Sequence, residues 1–125
     1  MILLLDSHAL LWAIGSPAEL TEGARAALID PANDVLVSAA SVWEIAIKRA
    51  LGKLRAPQGI AGAIEALGFS PVPITAADAE HAGSLPPHHR DPFDRMLIAQ
   101  ATRLDAIIVS RDAAFGPYEV AVIRA

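Results

Sequence analysis

Apolar residues in this chain fall into short unbroken runs, separated by stretches with helical spacing. Ile2-Leu3-Leu4-Leu5, Val35-Leu36-Val37-Ser38 and Ile107-Ile108-Val109-Ser110 have strand length and no polar alternation, the pattern of strands buried on both faces. Asp6-Ser7 stands where it would cap a helix over residues 9–14, which Gly15-Ser16-Pro17 breaks. Thr21-Glu22 opens a helix over residues 23–29, closed by Asp30-Pro31. Ser41 reads as the cap of a helix through Leu51, with Glu44 completing a capping box and Gly52 ending it. A helix over residues 60–67 follows Pro57 and stops at Gly68. The two prolines of Pro71-Val72-Pro73-Ile74 suit an edge strand. Thr75 or Asp78 then begins a helix through Gly83. Asp91-Pro92-Phe93-Asp94 is a strong helix start, and Phe93, Leu97, Ala101 and Leu104 form the apolar stripe of that helix. A last strand is expected over residues 120–123.

Short buried strands alternating with helices predict an α/β fold with a mostly parallel central sheet flanked by helices. No linker, repeat or low-complexity segment interrupts the 125 residues, so a single domain over 1–125 is expected. Apolar residues make up 54% and aromatics only 5%, which leaves Ala, Leu, Ile and Val to build the core. The absence of cysteine excludes disulfides and thiolate metal sites. The N-terminal apolar run is cut short by Asp6 and lacks a basic start, unlike a signal peptide. No run approaches the roughly 18 apolar residues of a membrane span, so a soluble, cytoplasmic protein is expected.

Acidic residues mark the candidate chemistry. In an open parallel sheet, ligands bind beyond the carboxyl ends of the strands. Asp6 follows the first strand, Glu44 lies early in the helix after the second, and Asp112 stands two residues past the third long strand. Asp94 sits in the first turn of the helix leading into that strand. Taken alone, Asp6 is a helix cap, Glu44 a capping partner and Asp112 a turn residue. Their conjunction at one edge is what points to function. Carboxylates crowded together repel, and burial penalises their charge. A hard divalent cation, Mg²⁺ or Mn²⁺, resolves that conflict. Such an ion can polarise a phosphoryl oxygen or activate water, the chemistry of a metal-dependent nuclease. Net charge is −4, which argues against a broad nucleic-acid surface, but a bound metal reverses the local field.

Four stretches resemble the PIN-domain family, and within it the VapC-type toxins of toxin–antitoxin pairs. They are Leu3-Leu4-Leu5-Asp6-Ser7-His8, Ser38-Ala39-Ala40-Ser41-Val42-Trp43-Glu44-Ile45, the run from His89 to Ala101 around Asp91-Pro92-Phe93-Asp94, and Ile108-Val109-Ser110-Arg111-Asp112. The match spans essentially the whole chain, in order. The resemblance implies a PIN-like three-layer sandwich and an endoribonuclease using Mg²⁺ or Mn²⁺. It also implies a homodimer and a small antitoxin of VapB type that blocks the site. It places the four acids on Asp6, Glu44, Asp94 and Asp112, with Asp91 as an alternative to Asp94. Ser110 matches a hydroxyl position near the metal, and Ser7 is a weaker candidate of the same kind.

Lys48, Arg49, Lys53 and Arg55 form the basic cluster, readable as an RNA phosphate track or as a solvated helix end. Arg95 and Arg111 each adjoin a site acid and are further RNA-binding candidates. His8, His88 and His89 fit no zinc signature, and the His88-His89 pair reads as exposed loop. Trp12 and Trp43 read as core or dimer contacts; with Leu11 and Ile47 they are also candidate walls of an antitoxin groove. A basic side chain of the antitoxin would pair with the acids. Among the rivals, a phospho-accepting receiver domain needs paired acids after the first strand and a lysine after the last, and neither is present. A DNA nuclease on the same fold and a catalytically silent RNA- or protein-binding domain remain as alternatives.

Overall fold

A computed structural model describes residues 1–125. A five-stranded sheet with the order β3-β2-β1-β4-β5 runs through the chain, and every pair of neighbours is parallel. Its strands are β1 (Ile2–Leu5), β2 (Asp34–Ser38), β3 (Ser70–Val72), β4 (Ile107–Ser110) and β5 (Val122–Arg124). Six helices connect them: α1 (Ser7–Gly15), α2 (Glu22–Ile29), α3 (Ala39–Ala50), α4 (Ile60–Ala66), α5 (Ala76–Ser84) and α6 (Pro92–Leu104).

The unbroken apolar runs become strands because helices cover both faces of the sheet. Leu3, Leu5, Val35, Val37 and Val109 point to one side, where Ala9, Leu10, Ala24, Ile45, Ile60 and Ile64 of the first four helices complete a core. Leu4 and Ile108 point to the other side and meet Leu97, Ile98 and Ala101 of α6, together with Phe115 and Tyr118. The period of two along a strand thus divides one leucine run between two cores. Helices on both faces make the three layers that the resemblance implies. No helix is long and apolar enough to cross a membrane.

Three local expectations change. Helix α3 begins at Ala39, capped by Ser38, whose hydroxyl accepts from Ala40 N at 3.0 Å. Ser41 therefore lies inside the first turn, buried, with its hydroxyl directed to Leu5 O at 3.4 Å. Glu44 is then no capping-box partner. The last strand starts two residues later than expected, because pairing of Ile108 with Val122 sets the β4–β5 register while Tyr118 is drawn into the core. Strand β3, at the sheet edge, is shorter than the two-proline segment suggests.

A second polar network locks α5 onto α6. Thr75 and Asp78 form a reciprocal capping box. The Asp78 carboxylate also accepts from Arg103 Nε at 2.6 Å and from Gln100 Nε2 at 3.2 Å. Arg103 holds this buried carboxyl well below the usual carboxylate range. A depressed folded-state pKa stabilises the fold above the unfolded value of about 4 and is lost as pH falls further. Asp78→Ala is expected to cost about 3 kcal/mol in urea unfolding at pH 7, because Arg103 and the Thr75 N–H lose their acceptor and Gln100 keeps only Pro73 O. The deficit should shrink below about pH 4, where wild type begins to lose the same interaction.

Candidate metal centre

The sheet order reverses at β1: the chain moves from β1 outward to β2 and β3, then returns to the other side of β1 as β4. The crevice beyond the carboxyl ends of β1 and β4 is the topological switch point of an open parallel sheet, where ligands bind. A cavity of about 170 Å³ opens there, and Asp6, Glu44, Asp94 and Asp112 all line it, with Asp91, Ser7, His8, Trp12, Lys48 and Arg111.

Asp6 leaves β1 directly into this crevice. Its Oδ1 caps α1 by accepting from Ala9 N at 2.8 Å, and its Oδ2 accepts from the Ser110 hydroxyl at 2.5 Å. The Ser110 oxygen in turn accepts from Asp112 N at 2.9 Å. Ser110 therefore joins the ends of β1 and β4, donating one hydrogen bond to Asp6 and accepting one from the Asp112 backbone. Burial pushes the Asp6 carboxyl up, against the opposing pull of the Ser110 and Ala9 bonds. Asp112 is exposed, and its Oδ1 caps the short 3-10 turn Ala113–Phe115 through Ala114 N at 2.9 Å.

Glu44 is buried in α3, and both of its carboxylate oxygens are engaged. Ser7 donates its hydroxyl to Oε1, and Lys48 places Nζ 2.8 Å from Oε2. Asp91 is the N-cap of α6: its Oδ1 accepts from Phe93 N at 2.8 Å and Asp94 N at 3.3 Å. Asp94, one turn in, is pushed up to about 6, chiefly by burial, with Asp91 and Glu44 adding repulsion.

His89 is the residue that sequence reasoning missed. Far from being exposed loop, its ring is mostly buried, and Nε2 lies 2.6 Å from Asp94 Oδ2. The loop carrying it is fixed from two sides. Arg95 donates to the backbone carbonyls of Gly83, Leu85, Pro86 and His89, and the Tyr118 hydroxyl accepts from His89 N at 2.9 Å. Ligand atoms of His89, Asp94 and Asp112 lie within 4.8 Å of one another. A histidine just upstream of a rigid Asp-Pro cap was the available signal. His88 is exposed, as expected.

The basic candidates divide. Arg95 is the loop clamp just described. Arg111 lies over the Trp12 ring, 4.2 Å from its centroid, and donates to Ala125 O and Glu19 O. Arg49 donates to Pro57 O at 3.2 Å, and Lys53 is exposed on the following turn. Lys48 alone of the basic cluster faces the acids. Trp43 is no core residue: it is 60% exposed and meets Phe93 edge-on.

The donor set fits a hard divalent ion. It consists of carboxylate oxygens with one imidazole, and burial raises the cost of charge on Asp6 and Asp94. A cation bound among them would offset that cost.

Solved structures of similar fold include VapBC2 from Rickettsia felis bound to a promoter DNA fragment, at 14% identity and a TM-score of 0.71, with 98% of each chain covered. FitAcB from Neisseria gonorrhoeae is similar at 20% identity and a TM-score of 0.63, covering 99% of this chain and 97% of that one. VapBC-1 from nontypeable Haemophilus influenzae follows at 17% identity and 0.62, covering 98% and 97%. No curated protein sequence matches the chain. At such identities these structures speak for the fold alone. The family model described as PIN domain matches residues 3–120, and by that match the chain belongs to the PIN-domain family.

Proposed function

We propose that this protein is a Mg²⁺- or Mn²⁺-dependent endoribonuclease, the toxin of a toxin–antitoxin pair. The observation that carries the reading is the convergence of Asp6, Glu44, Asp94 and Asp112 on one cavity at the switch point of the sheet. Family membership and the similarity to VapBC and FitAcB structures support it.

Asp94 and Asp112, with His89 beside them and Asp6 across the crevice, would hold the ion. A divalent ion there supplies Lewis acidity toward a phosphoryl oxygen and lowers the pKa of a bound water. The chain's own residues prepare the site. Ser110 fixes the Asp6 carboxylate, Asp91 anchors the helix that presents Asp94, and His89 sets the orientation of the Asp94 carboxylate. Because Arg95 and Arg111 are committed to backbone carbonyls, their main work is to hold the walls of the cavity. Of the basic cluster, Lys48 lines the cavity and Lys53 is exposed on the turn after its helix, so contact with the RNA backbone is left to these two.

The partners follow from the same reading: an RNA substrate, a second copy of this chain in a homodimer, and a VapB-type antitoxin that covers the cavity. A basic antitoxin side chain entering it would meet the carboxylates.

Purified protein assayed on RNA and on DNA side by side, with Mn²⁺ and with excess chelator, tests the proposal. Metal-dependent cleavage of RNA is expected, with DNA cut at least about a hundredfold more slowly and activity abolished by the chelator. Undiminished cleavage in chelator would refute the metal mechanism. Preferential cleavage of DNA would refute the substrate assignment.

A further inference from the structure

Charge is unevenly distributed across the acidic cavity. On one side, the ligand atoms of His89, Asp94 and Asp112 lie within 4.8 Å of one another, and no lysine or arginine is ion-paired to them. On the other side, Glu44 already has a cation. Lys48, one turn further along α3, reaches back to place its ammonium 2.8 Å from Glu44 Oε2. The i, i+4 spacing on one helix face makes that reach possible, and Ser7 occupies the other carboxylate oxygen.

Lys48 is not a solvated helix residue that happens to lie nearby. Its side chain is 40% exposed while that of Glu44 is 8% exposed, so the pair sits at the cavity wall with the carboxylate inside. A divalent ion brought to Glu44 would have to displace Lys48 or share the carboxylate with it, against Coulomb repulsion in a partly desolvated site.

We propose that Lys48 is a resident cation that fills, on the Glu44 side, the place a second divalent ion would otherwise take, so that the site binds one ion, held by Asp94 and Asp112 with Asp6 across the crevice. This rests on the metal-dependent reading above and refines it. Glu44 positions Lys48 and is not itself a ligand of the ion.

Mn²⁺ titration of the purified chain by calorimetry, with free Mn²⁺ followed by electron paramagnetic resonance, tests this without reference to cleavage. Wild type is expected to bind one Mn²⁺ per chain. Lys48→Met, of similar length but uncharged, is expected to bind two, and Lys48→Arg one. Glu44→Gln should still bind one ion, weakened by less than about tenfold through loss of a neighbouring charge, because Glu44 is not itself a ligand. In the double variant Lys48→Met, Glu44→Gln the second ion should be lost. Circular dichroism checks folding, and Lys48→Gln repeats the neutral substitution with a polar chain should the methionine variant not fold. Two ions in wild type, or one ion with unchanged affinity in both neutral variants, would overturn the role of Lys48. A fall of about a hundredfold or more in Glu44→Gln would show Glu44 to be a ligand and overturn it equally. Failure of wild type to bind Mn²⁺ at all would instead remove the metal reading beneath it.

Discussion

Asp94→Asn is expected to lose cleavage roughly a thousandfold or more, while the metal-free protein becomes harder to unfold. A thousandfold corresponds to about 4 kcal/mol of transition-state stabilisation, the scale of a metal's contribution to charge stabilisation. Asparagine keeps the shape of aspartate and can still accept from His89, so the geometry around Nε2 survives. What disappears is a buried negative charge. The Asp94 carboxyl is raised to about 6, mainly by burial. For an acid raised in this way the charged form is the costly one. The cost is absent below the unfolded value of about 4, grows between the two values and is complete above the folded one. It is on the order of 2 kcal/mol at neutral pH. Wild type in chelator should therefore gain stability as pH falls from 7 to 5, and Asp94→Asn should lack that gain. Added Mg²⁺ should stabilise wild type by mass action and leave the variant nearly unaffected. Urea unfolding at both pH values, with and without Mg²⁺, reads all of this. Asp91→Asn is the control: asparagine caps a helix nearly as well as aspartate, so its cleavage should stay within about threefold of wild type. A dead Asp91→Asn beside an active Asp94→Asn would reverse the assignment of ligand and cap.

The positions of Asp6 and Asp112 were legible in the sequence because they depend on topology alone. An acid that follows an all-apolar run lies at the carboxyl edge of a parallel sheet wherever the helices go. Glu44 was found by the same topological argument, but its local reading as a capping-box partner of Ser41 does not hold. Ser38-Ala39-Ala40-Ser41 and Ser41-Val42-Trp43-Glu44 offer two cap registers three residues apart, and nothing local separates them. Packing does: strand β2 ends at Ser38, and Ser41 is buried against β1, where it cannot act as a cap. Glu44 still enters the cavity because it lies close to the helix start in either register. For His89 the sequence offered only its nearness to the Asp-Pro cap, since its place depends on contacts far along the chain. Arg95 draws the loop down through four carbonyls, and Tyr118 holds His89 N from beyond β4. The carbonyl contacts of Arg95 and Arg111 were hidden for the same reason.

Asp6→Asn separates the structural from the chemical work of one side chain. As N-cap of α1, Asp6 accepts from Ala9 N, a bond that asparagine's oxygen reproduces, so α1 should form as before. The second oxygen is different. Ser110 donates to Oδ2 at 2.5 Å while accepting from Asp112 N at 2.9 Å, so its hydroxyl proton has one direction to go. An amide nitrogen at that position cannot accept the Ser110 proton, which would have to turn away and lose this bond. Losing this hydrogen bond is destabilising, while removing a buried charge whose pKa is raised is stabilising. The two effects oppose, and the net change in stability should stay within about 1 kcal/mol. Cleavage has no such compensation. The carboxylate charge is lost, and the link that carries the order of β1 across to Asp112 is broken, so activity should fall roughly a thousandfold. Ser110→Ala breaks the same link but leaves the Asp6 charge in place, and should cost only ten- to a hundredfold, the usual scale for a residue that orients a metal-binding carboxylate. Measuring kcat/KM and unfolding free energy for both variants gives the ordering. Equal losses in the two would mean that the Asp6 charge contributes nothing beyond its bond to Ser110.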